Sequence, residues 1–179
     1  MQILKYFSIA VLSFFAVYFL SGCGTQDPGT TVYIVRHAEK VTTPNIGRDP
    51  DLTEAGHKRA KLLAEMLADK NISHIHSSDY IRNRDTAKPL ADKIGVEIEI
   101  YDPSDLKSLA TKIQNAGGSH LVVGHSNTIV ETVEAFHSEG GTKVSDDEYD
   151  RLYTVRIGSD AKVKTELTRF GPKYIPADN

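Results

Sequence analysis

The sequence predicts a three-layer α/β/α fold: one mostly parallel central sheet with helices on both faces and a C-terminal antiparallel hairpin. Three observations predict it. Short β-branched runs alternate with helical-period runs in the order β-α-β-α-β-α-β-α-β-β, which calls for a sheet covered on both sides. The last two runs, Arg151–Ile157 and Lys162–Thr168, alternate in polarity across Gly158-Ser159-Asp160, a hairpin signal. The chain has 179 residues, 40% hydrophobic and 25% charged, without an internal repeat or low-complexity segment. Those numbers suit one ordinary globular domain.

The elements follow in order. Thr31–Arg36 (TVYIVR) is β-branched and aromatic and reads as a buried strand. Val41–Pro50 carries two prolines, Asn45 and Gly47, and reads as a loop. Thr53 is placed to cap a helix in which Ala60, Leu63, Ala64 and Leu67 recur at helical spacing, to about Asp69. Ile72–His76 is a second strand. Asp79 to Ile94 reads as a helix ended by Gly95, with Pro89 expected to kink or divide it. Val96–Tyr101 alternates as a strand, and Asp102-Pro103-Ser104 turns into a helix closed by Gly117-Gly118. His120–Val123 is an apolar strand before Gly124, Asn127–Phe136 a helix, and Ser138–Asp150 a polar, acidic loop whose Asp146-Asp147-Glu148 run reads as solvated.

Residues 1–22 stand apart. Lys5 is their only charge, and Tyr6 to Leu20 is nearly all apolar. That run is short for a membrane span and suits the apolar region of a signal peptide. Leu20-Ser21-Gly22-Cys23 follows, and it resembles a bacterial lipobox, in which the cysteine is diacylated and becomes the new N-terminus. The competing reading is a signal anchor with a chance cysteine. The organisation expected is a lipoprotein signal peptide over 1–22, a flexible tether over 23–30 and one domain over 31–179. The protein is then a membrane-anchored, extracytoplasmic lipoprotein on the periplasmic or cell-surface side.

Composition narrows the chemistry. Net charge is −3, so no basic field attracts nucleic acid. Cys23 is the only cysteine, which excludes an intramolecular disulfide and a multi-cysteine zinc or iron–sulfur site within one chain. Acylation of Cys23 would also remove any thiol nucleophile. His74-x-His76 puts two imidazoles on one strand face without a nearby third ligand, so neither metal nor other cofactor is expected. His57, His120 and His137 read as ordinary surface or partly buried residues.

In open α/β sheets ligands bind beyond the carboxyl ends of the strands. Three polar segments fall there: Arg36-His37-Ala38-Glu39-Lys40, Ser77-Ser78-Asp79-Tyr80-Ile81-Arg82, and Gly124-His125-Ser126-Asn127-Thr128. Arginine forks match phosphate oxygens, a helix N-terminus offers N–H groups to an anion, and imidazole can act as nucleophile or acid–base. The set suits a phosphate ligand.

These segments resemble the histidine phosphatase, or phosphoglycerate mutase-like, superfamily. Arg36-His37-Ala38-Glu39 is similar to its Arg-His-Gly-Glu motif. Ser77 to Ala87 is similar to its Ser-Ser-x-Leu-x-Arg-x-x-x-Thr-Ala segment, Gly124-His125 to its late Gly-His, and Leu52-Thr53-Glu54-Ala55-Gly56 to its Leu-Thr-x-x-Gly helix start. The resemblance runs from about Thr31 to Ile157 and implies a metal-independent phosphatase acting on phosphomonoesters or phosphohistidine. By that resemblance His37 is the nucleophile, Arg36 and Arg82 clamp the phosphoryl group, His125 donates to its oxygens, and Ser126, Asn127 and Asn45 line the pocket. The proton for the leaving group falls to Asp102 or, second, Asp105. Spacing to Thr86-Ala87 favours Arg82 over Arg84 as the clamp. His37 is expected to donate its other nitrogen to a backbone carbonyl, and its titration to set an acid limb near the ordinary histidine range. Implied partners are a small phosphorylated substrate or a phosphoprotein, and the membrane through the lipid anchor.

Two other motifs fail in context. Asp49-Pro50-Asp51-Leu52-Thr53 matches the aspartate-nucleophile phosphatase signature but follows a loop where that signature follows an apolar strand. Gly124-His125-Ser126-Asn127-Thr128 resembles a nucleophile elbow but lacks its closing glycine, and no later histidine completes the triad order. The rival from another class is a non-catalytic lipoprotein module that binds a phosphorylated ligand.

Overall fold

A computed structural model describes residues 29–45 and 47–176. The signal peptide, Cys23 and nearly all of the tether lie outside the described residues. The elements occur in the predicted order: β1 (Thr30–Arg36), α1 (Glu54–Leu67), β2 (Ile72–Ser78), α2 (Ile81–Ile94), β3 (Ile98–Tyr101), α3 (Leu106–Ala116), β4 (Ser119–Gly124), α4 (Thr128–Ala135), β5 (Arg151–Ile157) and β6 (Val163–Arg169).

They form one six-stranded sheet in the order β3-β2-β4-β1-β5-β6. The first four positions are parallel, and β5 and β6 add antiparallel. Strand pleat sorts the apolar side chains to two faces. Val32, Ile34 and Val122 pack with α3 and α4, whereas Val35, Leu121, Val123 and Ile75 pack with α1 and α2. Each face thus carries its own core, as expected of a buried parallel sheet.

Local chemistry fixes the ends. Thr53 Oγ1 accepts from Gly56 N at 3.1 Å and caps α1. Gly56 is also a packing requirement, because a Cβ there would run into the Glu39 carbonyl oxygen. Gly95 closes α2 in the left-handed conformation. Pro89 does not divide α2. It sits on the half-exposed side, while Ala87, Leu90 and Ala91 are buried and anchor both flanks.

Two expectations are corrected. Glu148, read as part of a solvated acidic run, is 3% exposed, and nearby Asp150 is 2% exposed. The Glu148 carboxylate accepts from Arg151 Nε at 2.6 Å, Arg169 Nη1 at 2.6 Å and Ser145 N at 3.1 Å. His120 is fully buried and stacks on both His74 and His76, at 4.8 and 5.4 Å between ring centroids. His76 Nε2 and His120 Nδ1 are 3.1 Å apart, and His120 Nε2 donates to the Gly117 carbonyl at 2.8 Å. Among the described residues no group of three or more His, Cys, Asp or Glu is placed to hold a metal ion.

Candidate active site

The carboxyl ends of β1, β4 and β2 meet because those strands are neighbours, with Arg36 opposite Gly124 and Ser77 opposite Val123. Three contacts lock the segments together. His37 N donates to the Gly124 carbonyl at 2.9 Å. Asn83 Nδ2 donates to the carbonyls of Val123 and Gly124 at 3.2 and 2.9 Å. Thr86 Oγ1 accepts from Ala38 N at 2.9 Å and donates to the Arg82 carbonyl at 2.7 Å. A side chain at Gly124 would press on Thr128 Oγ1 and the Tyr101 hydroxyl, so glycine allows the close turn from β4 towards α4.

His37 is 3% exposed, and its Nδ1 donates to the Ala38 carbonyl at 2.8 Å, as expected. That bond fixes the tautomer and leaves Nε2 unprotonated, with a lone pair and no protein partner. Arg36 and Arg82 are built alike. Arg36 Nη1 donates to the carbonyls of Ser145, Asp146 and Glu148 at 2.8–3.1 Å, and Tyr149 stacks on its guanidinium at 4.1 Å. Arg82 Nη1 donates to Asp49 Oδ1 at 3.3 Å, and Tyr80 stacks on its guanidinium at 4.4 Å. In both arginines Nε is buried without a partner. Buried donors of that kind require an acceptor, and a phosphate oxygen is the acceptor that guanidinium geometry matches. His125 meets His37 edge-on at 5.5 Å between centroids, and its Nε2 lies 2.8 Å from Ser78 Oγ.

Electrostatics follow from burial among cations. Desolvation, then Arg36, Arg82 and His125, push His37 down to about 2, against the pull of the Ala38 carbonyl. Desolvation and the same arginines push His125 down to about 4. His37 is therefore neutral across the range in which an ordinary histidine titrates, and an acid limb set by its ring would fall below that range. The shifts also set stability. Buried His76, pushed down to about 4, and His120, also lowered by burial, join His37 and His125 as bases that protonate more readily in the unfolded chain. Their contribution is whole above the unfolded value of about 6.5 and is lost as pH falls below it, towards 4 for His76 and His125 and on towards 2 for His37. Each histidine contributes a slope of up to about 1.4 kcal/mol per pH unit. Urea midpoints are expected to fall steadily from pH 7 to pH 5; a flat midpoint would refute neutral burial of these rings.

Arg36, His37, Arg82, His125 and Ser126 line one open cleft of about 1130 Å³, together with Asn127. Asp105 lines it too, but its carboxylate caps α3 through Ser108 N and Oγ, which hold it below the usual carboxylate range. Asp102 does not line it. That exposed carboxylate accepts from Ser104 Oγ and N at 2.7 and 2.8 Å and is likewise lowered. Asn45 sits exposed in a left-handed turn, away from the lining residues. Arg84 pairs with Asp79 on the surface, whereas Arg82 lines the cleft. Tyr149, Tyr80 and Asp49 were not anticipated as site residues. Tyr80 stood inside the Ser77–Ala87 segment, at the family's Leu position, and that departure was the available signal.

Residues 32–103 match the family model described as histidine phosphatase superfamily (branch 1). Over 78 residues, 40% of this chain, the sequence is 41% identical to GpmB of Yersinia pestis (strain Pestoides F), named as a candidate phosphoglycerate mutase. The match spans 35% of that relative's own length. A candidate phosphohistidine phosphatase SixA from Agrobacterium tumefaciens superposes with a TM-score of 0.60 at 26% identity, covering 81% of this chain and 99% of that one. A phosphoglycerate mutase from Bacillus anthracis superposes with a TM-score of 0.62 at 17% identity, covering 78% of this chain and 92% of that one. The mixed sheet with its antiparallel C-terminal strands is thus the architecture of phosphoglycerate mutase-like proteins.

Proposed function

We propose that this chain is a member of the histidine phosphatase superfamily that hydrolyses phosphomonoesters, or phosphohistidine, through a phosphohistidine intermediate on His37. One observation carries the reading: a neutral imidazole whose Nδ1 is tied to the Ala38 carbonyl shares a cleft with two arginines whose buried Nε atoms have no partner. In the first step the lone pair on His37 Nε2 attacks phosphorus in line and the ester oxygen leaves with its bonding pair. Arg36, Arg82 and His125 face the three equatorial oxygens, on which charge spreads. Water then displaces the histidine and releases inorganic phosphate. Asp102 and Asp105 are held ionised by their hydroxyl and amide donors, so neither supplies the leaving-group proton in the resting site. Efficient substrates are therefore those that need no donated proton, such as aryl esters or a phosphohistidine whose imidazole is already protonated. The lipobox-like Leu20-Ser21-Gly22-Cys23 supports a lipid anchor at Cys23 that would hold this chemistry outside the cytoplasmic membrane, where hydrolysis suits better than a glycolytic mutase reaction.

The test is hydrolysis of an aryl phosphate in excess chelator, with denaturing quench during turnover. The expected result is chelator-resistant release of phosphate and an acid-labile, base-stable phosphoenzyme. An Asp102→Asn variant run beside it is expected to stay within about twofold of the parent, since its carboxylate stands outside the cleft. Turnover that stops in chelator, or a phosphoenzyme with the stability of a phosphoserine, would overturn the reading.

A further inference from the structure

The cleft's floor and rim have opposite characters. The floor is made for an anion: Arg36 is 4% exposed, and its Nε and that of Arg82 are buried without partners. The rim is acidic. Asp105, Glu131, Glu134, Asp146 and Asp147 line it against only two lysines, Lys40 and Lys107. Asp105 is spent on capping α3. The other four carboxylates form no ion pair within 4 Å among the described residues, although Asp146 and Asp147 lie near enough to Arg36 to act on its charge.

Their placement is directional. Glu131 and Glu134 stand three residues apart on one face of α4, whose first residue, Thr128, follows closely on His125. At 1.5 Å per residue they lie about 4.5 and 9 Å along the axis from Thr128. Asp146 and Asp147 sit on the segment whose carbonyls clasp Arg36 Nη1. A phosphate seated on the arginines therefore shares the cleft with carboxylates from two elements, α4 and the segment that clasps Arg36. A leaving group with its own carboxylate would be repelled there, and a cationic one would be held.

We propose that the site selects phosphomonoesters whose leaving group carries a positive charge, such as an amine, a few bonds from phosphorus. This rests on the phosphatase reading above and narrows its substrate class. Glu131, Glu134, Asp146 and Asp147 are the specificity residues. Hydrolysis is balanced as before: His37 takes the phosphoryl group, the leaving oxygen departs with its bonding pair and takes a proton from solvent, and water displaces the histidine to release phosphate.

The experiment uses the full-length chain in detergent and three probes of matched shape and leaving group: tyramine O-phosphate, 4-propylphenyl phosphate and 3-(4-phosphooxyphenyl)propanoate. The expected kcat/KM order is cationic over neutral over anionic, by about fivefold per step at low salt, the scale of one exposed ion pair. The order should compress as salt is raised. Within Glu131→Gln/Glu134→Gln and within Asp146→Asn/Asp147→Asn the cationic-to-neutral ratio should fall towards one. A ratio taken inside one variant cancels any loss of folded protein. The same probes titrated calorimetrically onto His37→Ala read the order without turnover. A lysine-flanked phosphotyrosine peptide, compared with a glutamate-flanked one, tells whether the cation belongs to a small amine or to a peptide side chain. Turnover of all three probes without a charge order, or an order that survives neutralisation, would overturn the inference and leave the phosphatase reading standing. A binding order with no turnover would sink the phosphatase reading and keep the ligand class.

Discussion

Replacing His37 by alanine is expected to lower kcat for an aryl phosphate by at least about 10⁴-fold, roughly 5 kcal/mol of barrier, as when a covalent nucleophile is removed elsewhere. Inorganic phosphate should still bind, because Arg36 and Arg82 keep their unpartnered Nε donors and their tyrosine stacking. The phosphoenzyme trapped from the parent should vanish. The variant should also gain relative stability near pH 5, since a buried imidazole pushed down to about 2 no longer opposes protonation there. Assay, trap and melt together separate three cases. Loss of turnover with binding retained is the expected one. Loss of both would mean a collapsed site. Turnover retained in the alanine variant would remove His37 from the chemistry altogether.

The order of elements was legible because each boundary carries a local signal: Thr53 before α1, Gly95 after α2, Gly117 after α3, and Gly158-Ser159-Asp160 between β5 and β6. The floor of the site was legible for a related reason. Arg36, His37, Arg82 and His125 follow strand ends, and a parallel sheet brings strand ends together. What stayed hidden depends on contacts across the chain. Tyr149 reaches Arg36 only because β5 lies beside β1, and nothing near position 149 announces that pairing. Glu148 reads as one more acid in a polar loop until Arg151 and Arg169 close over it. Asp102 failed to reach the cleft for the opposite reason. A local competitor, Ser104, takes its carboxylate two residues on. The Pro89 expectation weighed a lost backbone bond without the packing that holds both flanks of α2.

The second large effect is expected at Glu148, far from any motif. Its carboxylate is the shared acceptor for Arg151 Nε and Nη2, Arg169 Nη1 and the Ser145 amide. These donors hold it down to about 2, and Arg151 is itself 4% exposed. Truncation to alanine removes the carboxylate from that guanidinium and leaves it the neutral oxygens of Thr142, Lys143 and Tyr153, a loss of about 3–5 kcal/mol, a large share of the 5–15 kcal/mol typical of a domain. Because Glu148→Ala is expected to accumulate poorly, Glu148→Gln serves as the milder variant, keeping the shape and one acceptor oxygen. A lowered folded value means that the parent's contribution is whole above about 4.5 and is lost as pH falls towards 2, so both variants should differ most from the parent near neutrality. The loss should extend to function. Ser145 is pinned by Glu148, and the carbonyls of Ser145, Asp146 and Glu148 are what hold Arg36 Nη1 and so aim its Nε. For Glu148→Gln, assayed well below its melting point, kcat/KM should drop by about tenfold, the scale of a displaced charged donor in a phosphate clamp. Urea melts at neutral pH read the first effect and steady-state kinetics the second. An unchanged midpoint would refute the buried network, and a lower midpoint with unaltered kcat/KM would cut its link to Arg36.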